Sequence, residues 1–476
     1  MSHATAPGRR SRATTPGRRR PDVTTALALV VPLLTVLALL VVDVDPAAPG
    51  AVPPERATLT RSTTTCPGLD APVVVTTTGD AAGEVEVRRG QDVADVAVEP
   101  AVPATAPDVS APAASLPAEV TGQGDLAPGL VAGRFPEEGD PTAPECRDPR
   151  PDQWFTGVGA SPGQPSVLEL TNPDGGPAVA DVVVHGPRGV VDAPSLRGVA
   201  VPGQGVVRIE LAEEIPRRGD LALHVTTTRG RVGAAVLDRF DELGAGASGS
   251  EWAASQAEPA TDVLLLGLPG EEALRDLVVA NASDDEARVA VSVVTTDSEF
   301  TPEGSPELDV DPQGTASLDL GEVLNGAALD DVVGLRLEAS RPVTAALRTV
   351  VEGDLAVTPA AETLGQGGTT TVLPTGATEL VLAGATGGGT VVATPRDADG
   401  DALGPQEGLR ADLAPARASV LELPEGTRLL EVRLRGTAAA ASVVVRGEGG
   451  GGGAAVVRLH DLETTALVGA VRPALP

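Results

Sequence analysis

The strongest constraint on how this chain can fold is a long-range repeat of segments that alternate with a spacing of two. In Val207-Arg208-Ile209-Glu210-Leu211 the apolar residues alternate with charges, and Leu221, Leu223 and Val225 alternate with Ala222, His224 and Thr226. Alternation of this kind buries one face of a β-strand and leaves the other wet. Clusters of Gly, Pro, Asn and Asp separate the segments, as turns require. VLELTNPDGGPAVADVVVHGP at 167–187 returns as DLVVANASDDEARVAVSVVTT at 276–296, which sets Asn172 against Asn281 at an offset of 109. AVPGQGVVRIEL (200–211) returns as DVDPQGTASLDL (309–320), and RGRVGAAV (229–236) as SRPVTAAL (340–347) at an offset of 111. A weaker copy follows in ADLAPARASVLEL (411–423) and LLEVRLRGTAAAASVVV (429–445).

A unit of about 110 residues with six or seven short strands has the size of an immunoglobulin-like sandwich. It is too long for a solenoid repeat or a single propeller blade. The expected fold is therefore all-β, with tandem immunoglobulin-like β-sandwich repeats over 151–258, 259–360 and 361–476. A closed, propeller-like arrangement of these units is also compatible with the pattern. Residues 43–150 read differently. Strand-like PVVVTTT (72–78) and EVEVRR (84–89) are followed by the Pro/Ala-rich EPAVPATAPDVSAPAASLP (99–117), which reads as an extended linker or loop. Aromatic residues make up 1% of the chain and Tyr is absent, so the cores must be built from Val, Leu and Ala.

Ahead of the strands, Thr24 to Val42 is a run of nineteen residues without a charge. As a helix it would be about 28 Å long, enough to cross a bilayer core of about 30 Å. Six arginines, Arg9, Arg10, Arg12, Arg18, Arg19 and Arg20, precede it in the tail 1–23, and Asp43 and Asp45 follow it. The positive-inside rule then places the N-terminus in the cytoplasm and the bulk of the chain beyond the membrane. A cleaved signal peptide is the competing reading, but its apolar region would be shorter, about 7–15 residues, and DVDPAAPGAV offers only poor cleavage sequences. The formal net charge of −31 argues against nucleic acid as a partner, since that needs a basic footprint.

Cys66 and Cys146 are the only cysteines, and both lie beyond the apolar run. In an oxidising compartment they most simply pair with each other. A metal centre is not expected, because His3, His185, His224 and His460 are far apart in sequence and none lies near a Cys. No cofactor is implied.

Few motifs suggest chemistry. Gly159-Ala160-Ser161-Pro162-Gly163 fits G-x-S-x-G, but Pro162 supplies no N–H for an oxyanion hole and a strand pattern follows, so Ser161 belongs to a turn. Gly447 to Gly452 fits a phosphate-loop pattern between two strand-like stretches and reads as a hairpin connection. Asp397-Ala398-Asp399-Gly400-Asp401 starts like a calcium loop, but Ala402 and Gly408 stand where Gly and Glu are needed, which favours a turn. His185 and His224 fall on the expected wet strand faces. Trp154 and Trp252 either offer a platform to a sugar or, as scarce large residues at domain edges, anchor packing. Asn281-Ala282-Ser283 is a glycosylation sequon.

The order of basic tail, apolar run, Cys-Pro (66–67), a second Cys before Trp154-Phe155-Thr156-Gly157, L-x-L-x-N-P (168–173) and Pro-Gly-Gln-Gly-like turns resembles an actinobacterial family of membrane-anchored or secreted proteins, domain of unknown function 5719. The resemblance runs from about residue 60 onward. It implies an extracytoplasmic β-rich protein in a cell-envelope glycan setting and supplies no catalytic residues. The second copy has Asn281-Ala282 where the first has Asn172-Pro173, so the Asn-Pro signature is not kept in every repeat. The function expected is that of a non-enzymatic, single-pass envelope scaffold or interaction module, with other envelope proteins or cell-wall glycan as partners. A polysaccharide-binding module is the alternative. A hydrolase whose paired carboxylates meet only in the fold is a third.

Overall fold

The computed structural model describes residues 54–468, apart from 110–114, 138, 243–247, 257, 270–273, 304, 306, 322–330 and 448–452. The tail 1–23, the apolar run 24–42 and most of the glycine run ending at Gly452 lie outside the described residues. Among the described residues no helix is long and apolar enough to cross a membrane.

The described chain is nearly all strand, and one pattern of pairing recurs. In the stretch 152–253 the strands run Asp152–Val158, Val167–Asn172, Ala178–Gly186, a split fourth strand (Gly189–Val191 and Val199–Val201), Gly205–Glu210, Leu221–Arg229, Gly233–Asp241 and Ser248–Ala253. The sixth strand lies between the first and the third, and the third pairs with the fourth. The second lies between the fifth and the seventh, and the seventh pairs with the eighth. Leu168, Leu170 and Val236 of the second sheet share one core with Phe155, Val182, Leu223 and Val225 of the first. Strict alternation puts these side chains on one face of each sheet.

The stretch 260–359 repeats this order. The second and fifth strands pair from Val167↔Glu210 in one stretch and from Asp276↔Asp319 in the other, which preserves the offset of 109. The buried Asn172 and Asn281 make the same network. Asn172 Nδ2 donates to the carbonyls of Gly176 (2.7 Å), Pro202 (3.1 Å) and Val201 (3.3 Å). Asn281 Nδ2 donates to those of Asp285 (2.7 Å), Asp311 (3.1 Å) and Val310 (3.2 Å). One difference is local. Gly230, at φ +77°, separates Leu221–Arg229 from Gly233–Asp241, whereas Val332–Val351 runs unbroken through the equivalent Arg341-Pro342. The stretch 369–458 again has the same order.

The segment before residue 150 carries a strand set as well. Its strands Arg61–Cys66, Val73–Thr77, Gly83–Arg89, Asp92–Val98, Ala104–Thr105, Ala118–Gln123 and Leu130–Arg134 pair in the same order as the first seven strands of the other stretches. The pattern is hidden in the sequence because the fifth strand is two residues long and embedded in the Pro/Ala-rich run. Among the described residues there are thus four strand sets, where the sequence suggested three repeats.

Adjacent sets share apolar contacts or polar bonds. Between the first and second sets, Gly68 N–H donates to Glu169 Oε1 (2.8 Å), and Arg208 bridges Glu169 (2.8 Å) and the Ser115 carbonyl (2.8 Å). Ala346, Leu355 and Val357 of the third set complete the second set's core. Leu266 and Val294 of the third pack with Val381, Ala383 and Val444 of the fourth. Val74, Val131 and Phe135 of the first belong to the core of the fourth. The junctions therefore run round a closed circuit.

Candidate functional site

The residues singled out from the sequence take up mainly structural roles. Ser161 ends the two-residue strand Ala160–Ser161, paired with Gln164–Pro165 in a tight hairpin. Asp397 Oδ1 accepts the N–H groups of Asp399 (3.0 Å) and Asp401 (2.9 Å), and Gly400 adopts φ +84°, so this stretch is a turn. The Asn281 side chain is fully buried and its amide is committed, which shuts the sequon in the folded chain.

His185 departs from the expected wet face. It is 4% exposed, because the Pro312-Gln313-Gly314 turn of the third set covers it. Its Nδ1 lies 2.8 Å from the Gln313 carbonyl, an acceptor only, so Nδ1 carries the proton. Burial lowers its pKa, which favours the neutral ring. Trp154 is buried, with its ring stacked on the His224 imidazole at 4.1 Å and 5.1 Å from that of His185. His224 Nε2 sits 2.9 Å from Asp152 Oδ2. Trp252 is also buried. Burial removes both indole faces from solvent and makes them packing anchors, not ligand platforms.

Two buried carboxylates lie on neighbouring strands. The last strands of the second, third and fourth sets, Ser248–Ala253, Asp354–Pro359 and Ala454–Arg458, lie side by side. Glu251 accepts from the Thr142 hydroxyl, the Ala143 N–H (3.0 Å) and the Trp252 N–H (2.6 Å). Asp354 accepts the Ala454 N–H (3.1 Å). Burial pushes Glu251 up to about 8 and Asp354 up to about 7, with like charge adding in each case. Glu251 is 1% exposed, which closes it to substrate. Its bonds to Thr142 and Ala143 tie the first set to the second.

The junction of the first and fourth sets gathers the most unusual chemistry. Cys66 and Cys146 form a disulfide there, joining the end of a first strand to the segment after the seventh. Next to it, Arg458 is held by Glu145 through two bonds (3.0 and 2.9 Å) and donates to the carbonyls of Ala360 and Ser255, both at 2.7 Å. Arg147 binds Glu362 through Nη2, and its Nε lies 3.5 Å from Glu145. The Arg458 and Arg147 guanidinium groups outweigh burial at Glu362 and hold it down at about 2. Beside this cluster lies a cleft of about 780 Å³ between Thr77–Asp80 of the first set and Gly367–Thr370 and Glu431–Arg433 of the fourth. A narrower crevice of about 50 Å³, lined by Arg147, Asp148, Arg150 and His460, shares Thr370, Asp461 and Leu462 with it. Sequence reasoning missed this site because its walls come from turn and strand residues roughly 300 positions apart. Among the described residues no group of three or more His, Cys, Asp or Glu could hold a metal ion.

A family model described as a family of unknown function matches residues 102–424, more than half the chain. No curated protein matches it.

Proposed function

The chain belongs to the DUF5719 family of unknown function, and from that premise we propose that it is a membrane-anchored, extracytoplasmic envelope protein acting as a non-enzymatic interaction scaffold. In this reading the strand sets are immunoglobulin-like sandwiches, and residues 24–42 are the anchor that holds them outside the cytoplasm. The observation that carries the proposal is the closed circuit of junctions. Each set lends apolar residues or buried polar bonds to its neighbours, which suits a rigid body that presents fixed surfaces. The disulfide supports an oxidising location, and the uncharged run behind six arginines supports the orientation.

Topology is tested by reporter fusions at the C-terminus, which should be active only outside the cytoplasm; cytosolic activity would remove the anchor reading. The non-enzymatic role is tested by incubating purified protein with ester, peptide and cell-wall substrates, where sustained turnover of any of them would overturn it.

A further inference from the structure

We propose that the cleft between the first and fourth strand sets is a binding site for a neutral, hydroxyl-rich ligand, a carbohydrate chain. The inference deepens the scaffold reading by naming what one of its surfaces holds. At about 780 Å³ the cleft has the size of sites that enclose an organic ligand. Size alone would leave the chemistry open, but the adjoining crevice narrows it.

The Arg147 side chain, 8% exposed, lines that crevice. Its Nη2 is bonded to Glu362 and its Nε is near Glu145, while Nη1 is buried and has no hydrogen-bond partner. His460 Nδ1, in the same wall, is likewise buried without a partner. An unmet buried polar atom is costly, because it has given up water without gaining a partner. Among the described residues three such atoms, Arg147 Nε and Nη1 and His460 Nδ1, sit in the residues of one crevice wall and leave it short of a partner. Burial, with the charge of Arg147, keeps His460 well below its usual pKa, so the ring offers a neutral donor or acceptor.

The same walls carry acceptors. Asp148 takes the Thr64 hydroxyl at 2.5 Å, Asp461 takes the Gly365 N–H at 3.0 Å, and Glu463 is 56% exposed. A bound anion would face these carboxylates in a chain of net charge −31, and a bound cation would face Arg147 and Arg150. A hydroxyl group both donates and accepts, so it suits mixed walls without adding charge. With no Phe, Tyr or Trp among the described residues that line the cleft or crevice, recognition would rest on hydrogen bonds and not on stacking.

The test is native electrophoresis of the full-length protein in detergent through gels containing dextran, galactan, mannan or arabinan, with alginate as the anionic arm. At least one neutral polymer should retard the protein. Thr370→Val and Glu463→Gln should each weaken that retardation at least about threefold at unchanged melting temperature, whereas Asp192→Ala, distant from the cleft, should not. No retardation by any neutral polymer, retardation by alginate alone, or equal retardation of all variants would overturn the proposal. Neutral-polymer binding by a protein whose C-terminal reporter is cytosolic would leave the site standing and remove the envelope reading.

Discussion

At Asn172 one buried amide nitrogen serves three backbone carbonyls, and its Oδ1 accepts the Asp174 N–H at 3.0 Å. Asn281 does the same with Ser283 N–H at 2.9 Å. Each side chain closes the turn after the second strand and ties it to the end of the fourth, so the repeat of Asn in the sequence is the repeat of a structural requirement. Asn172→Ala should leave several of these groups unpaired and cost about 2–4 kcal/mol in urea unfolding, with Asn281→Ala similar. Glu251 has the opposite character, since its environment favours the protonated form. Its folded pKa of about 8 lies above the unfolded value near 4.5. The folded state therefore binds more protons between those values, and stability contributed by Glu251 is present below about pH 4.5 and is lost as pH rises toward 8. Asp354, raised to about 7, acts in the same direction. The melting temperature should fall by a few degrees between pH 5 and pH 8, and Glu251→Gln should flatten that fall. A melting temperature that rises over this range would contradict the burial assigned to both acids.

Between the second and third sets, the same strand is broken in one and continuous in the other. Gly230 holds φ +77°, and a Cβ there would lie 2.8 Å from Ala178 Cβ. Gly230→Ala should therefore cost about 1–3 kcal/mol, while Arg341→Gly, in the unbroken strand, should cost only about 0.5–1 kcal/mol. Chemical denaturation of the two variants gives the comparison, and equal losses would show that the break is incidental. Strands of this kind were readable in the sequence because alternation and turn residues are local signals. The offsets of 109 and 111 carried over into the pairing registers. The first set was not readable, since Ala104–Thr105 is too short to show a period. The burial of His185 was hidden for another reason: its cover comes from Gln313, supplied by a different set. The cleft is the extreme case, in which Thr78 and Arg433 have no sequence relation that would place them together.

For the whole molecule, the closed circuit makes a prediction that a row of independent units would not. In a linear array each unit touches only its neighbours, and the terminal unit can melt alone. Here Phe135 of the first set, 5% exposed, lies in the core of the fourth, and Val74 and Val131 join it. Glu251 of the second set is bonded to Thr142 and Ala143 of the first, and Arg458 of the fourth reaches the Ser255 carbonyl. Unfolding one set would expose apolar surface and strand buried charges in its neighbours, so calorimetry should find one cooperative transition whose calorimetric and van't Hoff enthalpies agree. Phe135→Ala removes a ring from the contact between the first and last sets, at a cost of about 3–5 kcal/mol. If the circuit is real, this variant should lower the single transition as a whole. Four separable transitions in the parent protein, or a Phe135→Ala effect confined to a minor early one, would mean that the sets are joined only in series.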